Sequence, residues 1–149
     1  MFASIFAVLM LISTDSPAWR VEIATSGGFA EQGQGSLTAD ADGKLILAHC
    51  ATTLTADDLK TLGQLVAKAK AEQWRTSYVR PENPTGCCDM IKTTLTLTRG
   101  GKKWSSTWYS DHDKLPADLD TLMAALWFAP QPEQPAPSIR ERYERRCKP

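Results

Sequence analysis

Trp19, Val21 and Ile23 alternate with Arg20, Glu22 and Ala24. That period of two puts the apolar side chains on one face and predicts a half-buried β-strand over residues 19–25. Ser26-Gly27-Gly28-Phe29-Ala30-Glu31-Gln32-Gly33-Gln34-Gly35 follows, and four glycines in ten residues make it a loop. Residues 36–39 read as a second strand that turns at Asp40-Ala41-Asp42-Gly43 and returns over residues 44–49 as a hairpin. The period then changes. Leu59, Leu62, Val66 and Ala69, with Leu65 alongside, recur at helical spacing and predict an amphipathic helix over residues 56–72. The Thr55 hydroxyl is placed to accept an early backbone N–H, and Asp57 and Asp58 complement the helix dipole. Its apolar stripe needs a sheet to cover.

Residues 74–79 read as a short strand or an extended exit, and residues 81–86, with Pro81, Pro84 and Gly86, as a loop. A hairpin signal follows, because residues 91–98 (IKTTLTLT) connect through Arg99-Gly100-Gly101-Lys102 to residues 103–109 (KWSSTWY). A Gly-Gly turn supplies the positive φ angles that a tight hairpin needs. The resulting register sets Leu97 opposite Trp104, Leu95 opposite Ser106 and Thr93 opposite Trp108. Thr98, Thr96, Thr94 and Lys92 then lie opposite Lys103, Ser105, Thr107 and Tyr109 on the other face. One apolar and one Thr/Ser/Lys face is the pattern of an antiparallel sheet with one side in water. Past Ser110-Asp111-His112-Asp113-Lys114, Pro116 suits a first helical position, and Leu119, Leu122, Met123 and Leu126 predict a second amphipathic helix ending near Trp127-Phe128.

Residues 129–138 (APQPEQPAPS) hold four prolines in ten and make an extended linker. Its reach is roughly 31 Å at ~3.1 Å per residue. In the basic tail, residues 139–149, one helical stripe carries Ile139, Tyr143 and Cys147, and Arg140/Glu144 and Glu141/Arg145 fall at i,i+4 spacing, so a short docked helix is expected. The predicted fold is α+β: an antiparallel sheet of about four to five strands packed by two amphipathic helices over residues 19–128, with a short C-terminal helical tail.

Composition narrows the class. The chain has 149 residues, 42% hydrophobic and 23% charged, the proportions of one ordinary globular domain and not of a collagen-like, disordered or multi-domain chain. Seventeen basic side chains match seventeen acidic ones, so no global field attracts nucleic acid or an anionic membrane. Residues 2–12 (FASIFAVLMLI) carry no charge. A bilayer of roughly 30 Å takes about 20 helical residues, so this run is too short to span one, but it fits the apolar region of a secretory signal. Ser16-Pro17-Ala18 reads as a small-x-small cleavage site, so residues 1–18 are expected to be a signal peptide. No Lys or Arg precedes Arg20, which leaves open a start further upstream or an uncleaved apolar segment, and a buried N-terminal helix or strand is the bland alternative. Cleavage removes one acid, Asp15, and leaves a near-neutral protein. The expected location is periplasmic or secreted, as a monomer with no stable membrane insertion after cleavage.

Cys50, Cys87, Cys88 and Cys147 make an even set in a chain with an export-like N-terminus, which points to disulfides. Adjacent Cα atoms lie about 3.8 Å apart, below the usual disulfide range, so a Cys87–Cys88 ring would be strained. Cys50 is therefore expected to pair with one of Cys87 and Cys88, and Cys147 with the other. The first bridge would close almost forty residues around the first helix, and the second would tether the tail across the linker. A metal site built from His49, Cys50, Cys87 and Cys88 is the rival. Metal motifs usually separate paired ligands by two to four residues, and neighbours on an extended chain point apart, so no metal is expected.

Signs of catalysis are sparse. His49 ends an apolar strand and His112 sits in an acidic loop, and no His-Glu-x-x-His, Gly-x-Ser-x-Gly or Walker-type loop occurs. The glycines from Gly27 to Gly35 lead into a strand, so no helix N-terminus is there to hold a phosphate. Asp118 and Asp120, like Asp57 and Asp58, fall in first helical turns, where capping explains them. No catalytic residue, no enzymatic activity and no cofactor are expected. The tail carries five Lys/Arg and two Glu, but its regular Arg/Glu pairing reads as a solvated helix face, so no nucleic-acid partner is expected either.

Ser26-Gly27-Gly28-Phe29-Ala30 directly follows the first strand, and residues 94–101 (TLTLTRGG) lead to Leu115-Pro116-Ala117-Asp118-Leu119 and Leu122-Met123-Ala124-Ala125-Leu126. With the capped helix between them, this succession resembles the emfourin family, small α+β inhibitors of protealysin and related thermolysin-like metalloproteases, over residues 19–128. The apolar N-terminus, the four cysteines and the proline-linked tail depart from that pattern. The resemblance implies a thermolysin-like metalloprotease as partner. An inhibitor of this kind is expected to insert a convex loop, held by a rigid scaffold, into an enzyme cleft. Gly27, Gly28 and Phe29 are the candidates for that loop, with Phe29 as apolar anchor, and a core plug under the sheet is the competing role for Phe29. The other class is an exported, disulfide-stapled module that binds a cell-envelope component, with no protease target. Its surface would be the Thr/Ser/Lys face ending at Tyr109.

Overall fold

The computed structural model describes residues 18–28, 34–48, 50–84, 89–112, 114–127 and 137–147. The alternation that starts at Trp19 persists to the first glycine pair, giving β1 (Trp19–Gly27) with Trp19, Val21, Ile23 and Thr25 buried on one face. β1 is long enough to pair on both sides. Its neighbours are β2 (Gly35–Asp40) and β5 (Ile91–Arg99), through Ile23↔Leu37 and Ile23↔Leu95. β3 (Lys44–Leu47), β4 (Cys50–Thr53) and β6 (Lys102–Tyr109) complete a six-stranded antiparallel sheet of order β4-β3-β2-β1-β5-β6.

The β5–β6 hairpin has the register that its alternation and Gly-Gly turn predict, Leu97↔Trp104, Leu95↔Ser106 and Thr93↔Trp108 among its pairs. Gly100 and Gly101 take φ of 57° and 76°, open to glycine at no steric cost. The sheet has more strands than the four to five expected. The sixth is β4, whose Cys-Ala-Thr-Thr carries no apolar alternation and forms because it hydrogen-bonds to the far edge of β3. Residues 74–79 are not a strand. Ser77 makes a single parallel bridge to Thr107, and the Tyr78 N–H donates to the Thr107 carbonyl at 2.9 Å.

Helices cover one face only. α1 (Ala56–Lys68) begins at Thr55, whose hydroxyl accepts the Asp58 N–H at 3.2 Å, as the capping pattern predicts. It stops short of residue 72. The Arg99 guanidinium, reaching over from β5, donates to the Val66, Ala67 and Ala69 carbonyls, and the Lys70 N–H is taken by the Asp118 carboxylate. The chain then makes a 3₁₀ turn, Ala71–Gln73. α2 (Ala117–Leu126) starts one residue after Pro116, which serves as its cap. Leu62 and Val66 of α1 and Leu119, Leu122 and Leu126 of α2 share one core with Val21, Ile23, Leu37, Leu95 and Leu97. The tail supplies α3 (Ile139–Glu144), closed by a capping box in which Ser138 and Glu141 exchange side-chain and backbone hydrogen bonds. Ile139 and Tyr143 are buried on its stripe. Arg140 pairs with Glu144 as expected, whereas Glu141 turns back to Ser138 and Arg145 donates to the Glu141 backbone carbonyl instead.

Candidate functional site

The candidate loop leaves the sheet under constraint. Gly27 and Gly28 take φ of 86° and 80°, and the Gly28 N–H donates to the Met90 carbonyl at 3.3 Å. A Cβ at Gly27 would meet that carbonyl oxygen at 2.6 Å, so only glycine fits where β1 ends against the start of β5. At the other end of the connection, the Thr25 hydroxyl donates to the Gly35 carbonyl at 3.4 Å, and a Cβ at Gly35 would lie 2.9 Å from the Trp127 ring. The connection is therefore clamped where it departs and where it returns. Phe29 itself lies outside the described residues. Gly27→Ala is expected to cost about 2 kcal/mol or more, read as a lower urea midpoint, because it adds a left-handed backbone penalty to the clash with Met90.

The cysteine pairing corrects the sequence reading. Cys50 is bonded to Cys147, with Cα atoms 5.9 Å apart, and to neither Cys87 nor Cys88. The actual placement follows from two elements. β4 pairs Cys50 with Leu47 at the sheet edge, and the Ile139/Tyr143 stripe of α3 carries Cys147 down onto the same side. Cys87 and Cys88 lie outside the described residues, as does His49. The rival metal set loses Cys50 to the disulfide, and no group of three or more His, Cys, Asp or Glu able to hold a metal occurs among the described residues. His112 packs its ring edge-on to Trp108, with centroids 6.3 Å apart.

A polar cluster that sequence reading missed joins the tail to the start of α1. Asp58, only 8% exposed, accepts from the two terminal Arg142 guanidinium nitrogens, at 3.0 and 2.6 Å. The Tyr143 hydroxyl donates to the same carboxylate at 2.8 Å and accepts the Thr55 N–H at 2.7 Å, while the Thr55 hydroxyl donates to Asp58 at 2.9 Å. Burial alone would raise the Asp58 pKa. The hydrogen bonds from Arg142, Tyr143 and Thr55, with the Arg142 charge, outweigh it and hold the carboxyl below its ordinary value. Asp118 is held down in the same sense, burial being outweighed by the Lys70 N–H and the Trp74 indole N–H, which donate at 2.7 and 3.0 Å. Both acids sit in first helical turns, the only role that spacing predicts for them. Their partners lie 84 and 48 residues away, and no local pattern announces them.

The sheet's uncovered face carries Thr38, Glu22, Thr96 and Ser105 in one row across four strands. Its hydroxyls largely satisfy one another, Thr94 with Thr107 at 3.0 Å and Thr96 with Ser105 at 3.1 Å. Among the described residues no helix is long and apolar enough to cross a membrane. No protein-family model, curated protein or solved structure matches the chain.

Proposed function

We propose that this chain is an exported, non-enzymatic binding protein that inhibits a thermolysin-like metalloprotease through the connection between β1 and β2. The observation that carries this reading is the clamping of Gly27 and Gly28 against Met90 and of Gly35 against Trp127, a rigid frame for the segment that joins them. Export is supported by the Cys50–Cys147 disulfide, a bond of oxidising compartments, and by the apolar run over residues 2–12. In this reading the glycines let the main chain pass close to the enzyme, and Phe29 fills an apolar subsite of its cleft. Such an anchor dominates affinity, with truncation costing about 2 kcal/mol or more. The protein from Trp19 onward should inhibit thermolysin-catalysed peptide hydrolysis above a control protein. Phe29→Ala should weaken that inhibition at least ~25-fold at unchanged Tm. Absence of inhibition by the unmodified protein would leave the envelope-binding class as the better reading. A large loss of Tm in Phe29→Ala with inhibition retained would assign Phe29 to the core instead.

A further inference from the structure

Along α1, away from the glycine loop, a groove of ≈ 420 Å³ opens between the helix and the sheet end. Leu59, Val66, Ala67 and Ala41 give it apolar walls, and Leu59 to Ala67 span about 12 Å of helix at 1.5 Å per residue. Trp19 lies at its floor. As a residue it is 8% exposed, but its Nε1–H still reaches solvent and has no protein acceptor among the described residues.

The gap over that nitrogen exists because residue 63 is glycine. A Cβ there would sit 3.8 Å from Trp19 Nε1, an ordinary contact, and the Gly63 backbone is plain helix, so neither sterics nor φ demands glycine. Gly in a helix interior is destabilising relative to Ala, and here it holds open the approach to an unpaired donor. Lys60 stands one turn before Gly63 on the same rim and takes part in no ion pair among the described residues. Arg99 also lines the groove, but its guanidinium is committed to the α1 carbonyls and lies 3.8 Å from Glu72. Among the described residues no carboxylate lines the groove.

An apolar trough with a lysine that makes no ion pair among the described residues and an indole N–H that faces solvent without a protein acceptor is complementary to a ligand with an apolar body and an anionic head. We propose that this groove binds a small amphipathic carboxylate, its chain along Leu59, Val66 and Ala67 and its head group between the Lys60 ammonium and the Trp19 indole N–H. The site is independent of the protease reading.

Calorimetric titration with sodium octanoate tests it, with 1-octanol as the neutral analogue of equal chain length. Octanoate should bind saturably at one site and octanol at least fivefold more weakly. Gly63→Ala sets a methyl group against the indole nitrogen. It should raise Tm by roughly 3 °C through helix propensity while weakening octanoate at least tenfold, a combination that damage to the fold cannot produce. Lys60→Ala should weaken octanoate severalfold at unchanged Tm. No saturable octanoate binding, equal binding of octanol, or unchanged octanoate affinity in Gly63→Ala would each overturn the proposal.

Discussion

Cys147→Ser is expected to lower stability by about 2–5 kcal/mol, one of the two largest single effects in the molecule. The bond spans 97 residues, so it closes the chain from β4 to the end of α3 into one loop. In the chain-entropy argument a loop of that size approaches ~5 kcal/mol, and any strain in the native bond reduces the figure. The effect falls on both ends of the structure. β4 is an edge strand of four residues with little apolar content, and α3 has only six residues, too few to persist without docking. The measurement is urea unfolding of the unmodified protein and of Cys147→Ser, each with and without reductant. Reductant should bring the unmodified protein to the variant's midpoint and leave the variant almost unmoved. A non-reduced peptide map should join the Cys50 and Cys147 peptides, and one joining Cys50 to Cys87 or Cys88 would contradict the fold described above.

Asp58→Ala is expected to cost about 2–4 kcal/mol. Breaking a buried pair by removing one partner typically costs about 3–5 kcal/mol. The lower range applies because Arg142, whose side chain is 35% exposed, can turn its charge to water, whereas the Tyr143 and Thr55 hydroxyls must find new acceptors where they are. Asp58→Asn separates charge from shape. The folded-state pKa lies below the ordinary carboxylate value of about 3.9, so the unfolded chain takes up its proton first as pH falls. The charged form therefore contributes its stability above about pH 4 and loses it as pH drops toward the folded-state value. Urea midpoints of the unmodified protein should decline below about pH 4 more steeply than those of Asp58→Asn, which lacks this contribution. Parallel acid limbs would show that the Asp58 charge adds nothing.

Features fixed by neighbours in sequence were legible beforehand. The β5–β6 register follows from alternation and a Gly-Gly turn, the α1 start from Thr55, and the docked face of α3 from Ile139, Tyr143 and Cys147 at helical spacing. Features fixed by distant partners were not. β4 has no pattern of its own because its hydrogen-bonding partner is an existing strand edge, and α1 ends early because Arg99 arrives from β5 to occupy its last carbonyls. The candidate loop was readable as a glycine-rich connection, but its anchoring on Met90 and Trp127 comes from segments far along the chain. The cysteines could be assigned to disulfide chemistry by number and context. Their pairing depended on where α3 docks, which spacing does not encode.

The position of β1 in the middle of the sheet has a consequence for the order in which the molecule can assemble. Synthesis delivers β1 first, and β2, β3 and β4 can fold back on one of its edges as soon as they emerge. The other edge must wait for residues 91–99, because Val21 pairs with Leu97 and Gly27 with Ile91. Until then the chain carries an open strand edge along Trp19–Gly27, beside apolar side chains that neither α2 nor β5 yet covers. Such long-range pairing folds slowly, and the bond that locks the sheet edge to the tail cannot close before residue 147 arrives. The first strand made is thus among the last to be satisfied, and the unfinished chain is most vulnerable to self-association along that edge.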